Sequence, residues 1–295
     1  MAQNLEITFN DAEANDLGGA VVIFQNAISF DSGLITSLCE TQIANERSQM
    51  YVDGIDPETG KKAFINRSGY FYDKEGMDRM PKRGSMLHST GEAKLREFFD
   101  EVESIKDKYL LKYMTFFPLS YKNIWWKVKG HLVSYSAERQ EFLGQHSDTS
   151  ADYAYGFPEP TSQLATKNTV SCVVYLNEDF VGGHHYFNYL GIDIEPKIGT
   201  IIMFPSNFVA AHEITPLESG VRYSYLGWYS HGSPNKELNE SIIDPLKEPD
   251  LAKSATNVYL PNLRQDFKQH LEMLGVENHR YAYQLASTMH GQEIE

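Results

Sequence analysis

The spacing of hydrophobic positions changes twice along the chain, dividing it into three parts. The first part, to about residue 121, opens with Ala20-Val21-Val22-Ile23-Phe24, an apolar run that reads as a strand. A helix is expected next, capped near Ser32 and carrying Leu34, Ile35, Leu38 and Cys39. A polar stretch from Tyr51 to Ser89, with turn signals at Asp53-Gly54, Asp56-Pro57 and Thr59-Gly60, reads as a lid, a peptide groove or an ordinary surface insertion. A second helical pattern runs from Glu92 to about Tyr113. Its apolar positions Leu95, Phe98, Phe99, Val102, Ile105, Tyr109 and Leu110 recur mostly at steps of three and four, which gathers them on one face.

From Asn123 to Tyr229 the period becomes two. Short runs rich in β-branched and aromatic residues predict strands at Ile124–Val128, Leu132–Tyr135, Thr169–Leu176, His184–Phe187, Gly199–Phe204 and Val221–Tyr229. Many short strands without long helices between them indicate a sandwich or barrel. Past His231 the chain is polar and proline-punctuated to about Pro261, then helical. There Phe267, His270, Leu271, Leu274, Tyr281, Tyr283 and Leu285 offer a face that covers the barrel exterior or pairs two copies as a homodimer. The fold class expected is mainly β with flanking helices (α+β). It is read as a single catalytic domain over 1–295, with supporting elements in 1–121, the β core in 122–231 and a helical extension in 232–295.

Composition narrows the function. With 41% hydrophobic and 22% charged residues the chain reads as an ordinary soluble globular protein. It has no apolar run near the roughly 20 residues a membrane-spanning helix needs. The first residues lack the basic and apolar regions of a secretory signal, and Cys39 and Cys172 form neither a zinc pattern nor a disulfide framework. Both point to the cytoplasm. A net charge of −14 argues against a protein that wraps nucleic acid. It leaves room for a small anion, because one arginine or metal reverses the sign inside a pocket.

Candidate chemistry begins at His146-Ser147-Asp148. In an extended chain residues i and i+2 project to the same side, so both side chains can grip one ion, although the tripeptide alone also fits a surface loop. His212 is the best third ligand, since it follows the apolar run Thr200–Phe204 and precedes another strand. Two histidines and a carboxylate leave positions open for a co-substrate and O2, which suits Fe(II). Zinc competes, but its hydrolytic sites commonly use a helical HExxH pattern that this chain lacks. Ten residues beyond His212 stands Arg222. Period two places Arg222, Ser224, Leu226 and Trp228 on one strand face. If that face points inward the arginine needs an anion; otherwise it is a rim residue paired with Glu213 or Glu218. Fe(II) with these three ligands carries about +1 and Arg222 about +1, which a dicarboxylate cancels.

Several blocks then stand in order: Leu132-Val133-Ser134-Tyr135, His146-Ser147-Asp148, Val174-Tyr175-Leu176-Asn177-Glu178-Asp179-Phe180, Gly182-Gly183, Phe204-Pro205-Ser206, His212-Glu213-Ile214-Thr215-Pro216 and Ser219-Gly220-Val221-Arg222-Tyr223-Ser224. Over roughly Trp125 to Tyr229 the chain resembles the Fe(II)/2-oxoglutarate-dependent dioxygenase superfamily, in its prolyl 4-hydroxylase-like branch. The resemblance implies a double-stranded β-helix (jelly roll) core, with His146, Asp148 and His212 as catalytic iron ligands. It implies Arg222 on the distal carboxylate of 2-oxoglutarate, with Tyr135, Tyr175 and Ser224 beside that co-substrate, O2 as oxidant and ascorbate as reductant. Asp148 favours hydroxylation, because related halogenases carry a small residue there. Two features depart from the pattern: the polar Ser136–Phe142 segment, and His184-His185 after the paired glycines, of which only one can face inward. Trp228, Ile214, Val173 and His185 are the expected substrate contacts. The expected reaction is hydroxylation of an unactivated C–H bond in a prolyl residue of a peptide, or in free proline or a related amino acid. A nucleic-acid demethylase of the same superfamily and a non-catalytic cupin-like metal-binding or sensor barrel are the alternatives.

Overall fold

The computed structural model describes residues 6–55, 57–66, 71–72, 82–86, 93–138, 141–149, 168–231 and 243–275. Nine strands position the site: β1 (Val22–Phe24), β2 (Ile124–Ser136), β3 (Leu143–His146), β4 (Asn168–Tyr175), β5 (His185–Phe187), β6 (Ile192–Ile194), β7 (Ile201–Pro205), β8 (His212–Ile214) and β9 (Val221–His231). The three longer helices are α1 (Ser32–Met50), α2 (Ala93–Phe116) and α3 (Leu263–Met273).

The major sheet is antiparallel and runs β2-β9-β4-β7-β1 at its centre. Asn15–Asp16 extends it beyond β1, while Lys82–Met86 and Asn257–Tyr259 pair with β2. The minor sheet has the order β3-β8-β5-β6. Apolar side chains join the two sheets: Val173, Tyr175, Ile202 and Phe204 of the major sheet cluster with Phe187 and Ile194 of the minor sheet. Val133 and Tyr135 pack with Ile214 and Leu217. The other face of the major sheet is covered by helices, with Cys172, Val174, Ile201, Tyr225 and Tyr229 in one cluster with α1 and α2 residues. The chain is therefore mainly β with flanking helices.

Helix α2 buries every one of the seven apolar positions its periodicity singles out. It also buries the charged pair Glu103 and Lys106. Glu103 Oε1 accepts from Lys106 Nζ (2.9 Å), the Gly130 backbone N–H (3.0 Å) and the Tyr225 hydroxyl (2.9 Å). Lys127 bridges Glu103 (3.3 Å) and Asp107 (2.6 Å). The cluster explains a correction to the expected strands. Ile124–Val128 and Leu132–Tyr135 are parts of one strand, and Gly130 is no break. A Cβ there would run into the Leu226 carbonyl and the Tyr225 ring, so glycine marks a close approach inside the sheet.

Other boundaries differ by a residue or more. The first expected strand pairs only over Val22–Phe24, α1 extends to Met50, and the strand at His184–Phe187 starts at His185. Part of the Tyr51–Ser89 stretch forms a three-stranded sheet of Tyr51–Ile55, Lys62–Asn66 and Phe71–Tyr72. In α3, Leu263 and Phe267 join the cluster that holds α2, whereas Leu274 just beyond it is exposed. Tyr281, Tyr283 and Leu285 lie outside the described residues. Both cysteines are buried and free. Among the described residues no helix is long and apolar enough to cross a membrane.

Candidate metal and oxo-acid site

Strand register brings His146 opposite His212, their ring centroids 4.3 Å apart. The β3–β8 ladder shifts between Leu143 and His146, where one extra residue is accommodated on β3. Asp148 lies just past β3, its Oδ1 3.4 Å from His146 Nε2. Ligand atoms of His146, Asp148 and His212 all fall within 4.8 Å of one another.

The rings are oriented for coordination. His146 Nδ1 lies 2.9 Å from the Gly144 carbonyl and His212 Nδ1 3.0 Å from the Ala210 carbonyl. A carbonyl only accepts, so both Nδ1 atoms carry the proton and both Nε2 atoms present lone pairs. Asp148 is buried and its Oδ2 has no hydrogen-bond partner among the described residues. Burial pushes its carboxyl pKa up, but the neighbouring His146 and His212 and the Ser171 hydroxyl bring it down to about 2. Burial lowers the His212 pKa to about 4. A carboxylate and neutral imidazoles are the ligand forms, and the donor set fits a divalent ion with open positions.

Sequence reasoning missed the groups that hold Asp148. The Thr149 N–H and hydroxyl both donate to the Ser206 carbonyl (2.8 and 2.7 Å), and Asn168 Nδ2 donates to the Asp148 carbonyl (3.0 Å). Ser171 and Ser206 hydroxyls, both buried, lie 2.8 Å apart. Their only trace in the sequence is a small polar residue within an apolar strand.

Arg222 is the second pole of the site. It faces between the sheets and is 1% exposed. Among the described residues no carboxylate reaches it, so the rim pairing with Glu213 or Glu218 is excluded. Its Nη1 donates to the Gly183 carbonyl (2.8 Å), and its Nε has no partner among the described residues. The guanidinium lies 5.6 Å from the Tyr135 ring centroid and 5.0 Å from that of Tyr175. Register explains this: Arg222 pairs with Tyr135, and Ser224 with Val133 and Tyr175. Gly183 at φ +63° lets the backbone turn there, and a Cβ would press on Leu217. A fully buried cation costs too much to remain without an anion, so the pocket selects for a negatively charged guest.

The other expected residues are dispersed along the same interior. His185 is buried beside His212, whereas His184 is partly exposed and 2.9 Å from Asp193. Val173 and Ile214 sit in the apolar clusters between the sheets. Trp228 is half-buried and packs 5.3 Å from the His131 ring.

Residues 130–230 match the family model described as the 2OG-Fe(II) oxygenase superfamily. No curated protein matches the sequence. Among solved structures, the chain is similar to a viral collagen prolyl hydroxylase from Paramecium Bursaria Chlorella virus-1 at 15% identity and a TM-score of 0.44, covering 75% of this chain and 96% of that one. A prolyl hydroxylase from Trichoplax adhaerens, solved with a hypoxia inducible factor oxygen degradation domain peptide fragment, gives 16% identity and 0.44 over 72% and 84%. A Pseudomonas putida prolyl-4-hydroxylase gives 16% and 0.39 over 68% and 87%. Likeness of this degree lends no weight to any particular substrate. The family implies Fe(II), 2-oxoglutarate and O2. The matched segment is the one that contains His146, Asp148, His212 and the buried Arg222.

Proposed function

We propose that this chain is an Fe(II)- and 2-oxoglutarate-dependent oxygenase that hydroxylates an unactivated C–H bond of a prolyl residue in a peptide, or of free proline or a related amino acid. The observation that carries the cofactor reading is a fully buried arginine with no carboxylate partner among the described residues, close to a triad whose two Nε2 lone pairs and free carboxylate oxygen converge. The prolyl assignment rests on the ordered sequence blocks and their resemblance to the prolyl 4-hydroxylase-like branch.

In this reading His146, Asp148 and His212 hold Fe(II), and Arg222 binds the far carboxylate of 2-oxoglutarate with Tyr135, Tyr175 and Ser224 around it. When bound, iron, 2-oxoglutarate and O2 supply the oxidising chemistry, with the oxo acid leaving as succinate and CO2. The protein orients these groups and keeps water from them through the apolar side chains between the sheets. Asp148, kept ionised, offsets one positive charge of the metal. Trp228, Ile214 and Val173 are proposed to face the substrate, within a double-stranded β-helix that forms one catalytic domain over 1–295. Ascorbate as reductant, a cytoplasmic setting and homodimerisation through the C-terminal extension belong to the same proposal. The net charge of −14 favours a peptide or amino-acid substrate over nucleic acid.

Asp148→Ala is expected to abolish substrate-dependent succinate formation and to weaken metal binding, read by calorimetry. Undiminished turnover in that variant would sink the assignment. A screen of proline-containing peptides against free amino acids, followed by mass spectrometry for one added oxygen, tests the substrate class.

A further inference from the structure

His185 differs from an ordinary core histidine in one respect. Its ring stacks on Phe187 (centroids 4.8 Å apart, 12° between planes) and meets the Phe204 ring at 5.3 Å. Its Nδ1 lies 3.3 Å from the Tyr175 hydroxyl. Its Nε2 is shielded from solvent and has no hydrogen-bond partner among the described residues, although the residue is 1% exposed. A buried polar atom left in that state destabilises the fold, and leucine or phenylalanine would fill the same apolar surroundings without that cost.

Position gives the unsatisfied atom a meaning. The His185 ring centroid is 4.5 Å from that of His212, and Tyr175, its hydrogen-bond partner, lies beneath the Arg222 guanidinium. His185 thus stands between the metal triad and the buried arginine. An acid spanning those two poles passes it.

We propose that His185 is a co-substrate-binding residue whose Nε2–H donates a hydrogen bond to a carboxylate oxygen of the 2-oxo acid held between the triad and Arg222. The inference rests on the 2-oxoglutarate reading above. In this arrangement the Tyr175 hydroxyl is assigned as donor to Nδ1, which places the ring proton on Nε2 and makes a neutral imidazole a donor there. His185 adds a directed bond to the charge of Arg222 without a second cation, so the summed charge of metal, ligands, arginine and dicarboxylate stays near zero.

The test uses the full chain loaded with Zn(II), which is redox-inert and diamagnetic, and titrates it calorimetrically with 2-oxoglutarate. His185→Leu is expected to bind Zn(II) like the parent and 2-oxoglutarate about tenfold more weakly or worse (about 1.4 kcal/mol). His185→Gln, which keeps an N–H donor, recovers most of the loss. In the parent, the 15N resonance of His185 Nε2 shifts on adding 2-oxoglutarate while Nδ1 stays unprotonated. The proposal is overturned if His185→Leu matches the parent, if it loses Zn(II) affinity or fails to fold while the parent Nε2 resonance stays put, or if glutamine is no better than leucine. A parent protein that binds Zn(II) but no 2-oxoglutarate at all would refute the oxygenase reading instead.

Discussion

Arg222 illustrates how a single residue trades stability for binding. Its guanidinium is buried among two tyrosine rings and a backbone carbonyl, with no carboxylate of the described residues to neutralise it. Burial lowers its pKa, which is the same cost expressed as a proton equilibrium. Replacing it with an apolar side chain of similar length removes that cost. Arg222→Met is therefore expected to leave the thermal midpoint of the ligand-free protein equal or raised. Its affinity for 2-oxoglutarate should fall by about two orders of magnitude, roughly 2.8 kcal/mol. A variant less stable by calorimetry yet binding the acid normally would show that the arginine serves packing alone.

At the scale of elements, what the sequence discloses depends on whether a signal is local. The apolar face of α2 was legible because helical periodicity is a local property, and the buried positions are those the pattern names. The alternation of β9 places Arg222, Ser224, Leu226 and Trp228 on one face; the register with β4 keeps Ser224, Leu226 and Trp228 in step, whereas that with β2 shifts between Leu226 and Trp228. The continuity of β2 from Ile124–Val128 into Leu132–Tyr135 is not legible locally, because the reason for Gly130 is long-range: the Leu226 carbonyl and Tyr225 ring approach it across the sheet. The order of His184 and His185 could not be read either. Period two says only that they face opposite ways, and which one faces inward depends on pairing with β8. The Ser171, Ser206, Thr149 and Asn168 support of Asp148 joins three segments and leaves no pattern in any one of them.

For the molecule as a whole, the two faces of the major sheet bury charge in different ways. Toward the minor sheet lies Arg222, with no carboxylate partner among the described residues. Toward the helices lies Glu103, held by Lys106, Lys127, Gly130 and Tyr225. Burial raises the Glu103 pKa, but the two lysines and the backbone N–H outweigh it and hold the carboxyl well below the ordinary range. Burial lowers the Lys127 pKa, yet Asp107 and Glu103 raise it beyond the usual lysine value. A depressed carboxylate stabilises the fold above its unfolded pKa, and that contribution is lost as pH falls through the folded value. A raised lysine stabilises below its unfolded pKa and loses the effect as pH rises through the folded one. The cluster thus contributes a constant amount near neutrality and fails at both extremes. Glu103→Gln is expected to cost about 3–5 kcal/mol at pH 7 by urea denaturation. Its stability should also change less than the parent's between roughly pH 4 and pH 2, where Glu103 of the unfolded chain takes up a proton and the buried native carboxylate does not.

The irregular pairing of β3 with β8 bears on which changes of chain length this gene can tolerate. One residue more than the ladder needs lies between Leu143 and His146, and the carbonyl of Gly144 within it fixes the ring proton of His146. Removing Gly144 would let the strands pair without interruption and keep His146 across from His212, but it deletes the acceptor that sets the tautomer. Such a deletion allele should yield a normally folded protein, with an unchanged apo melting curve, whose Zn(II) affinity is at least tenfold lower. An added residue at the same place would turn His146 to the opposite side of the strand. Along this stretch the reading frame can remain intact and the fold survive while the chemistry is silenced.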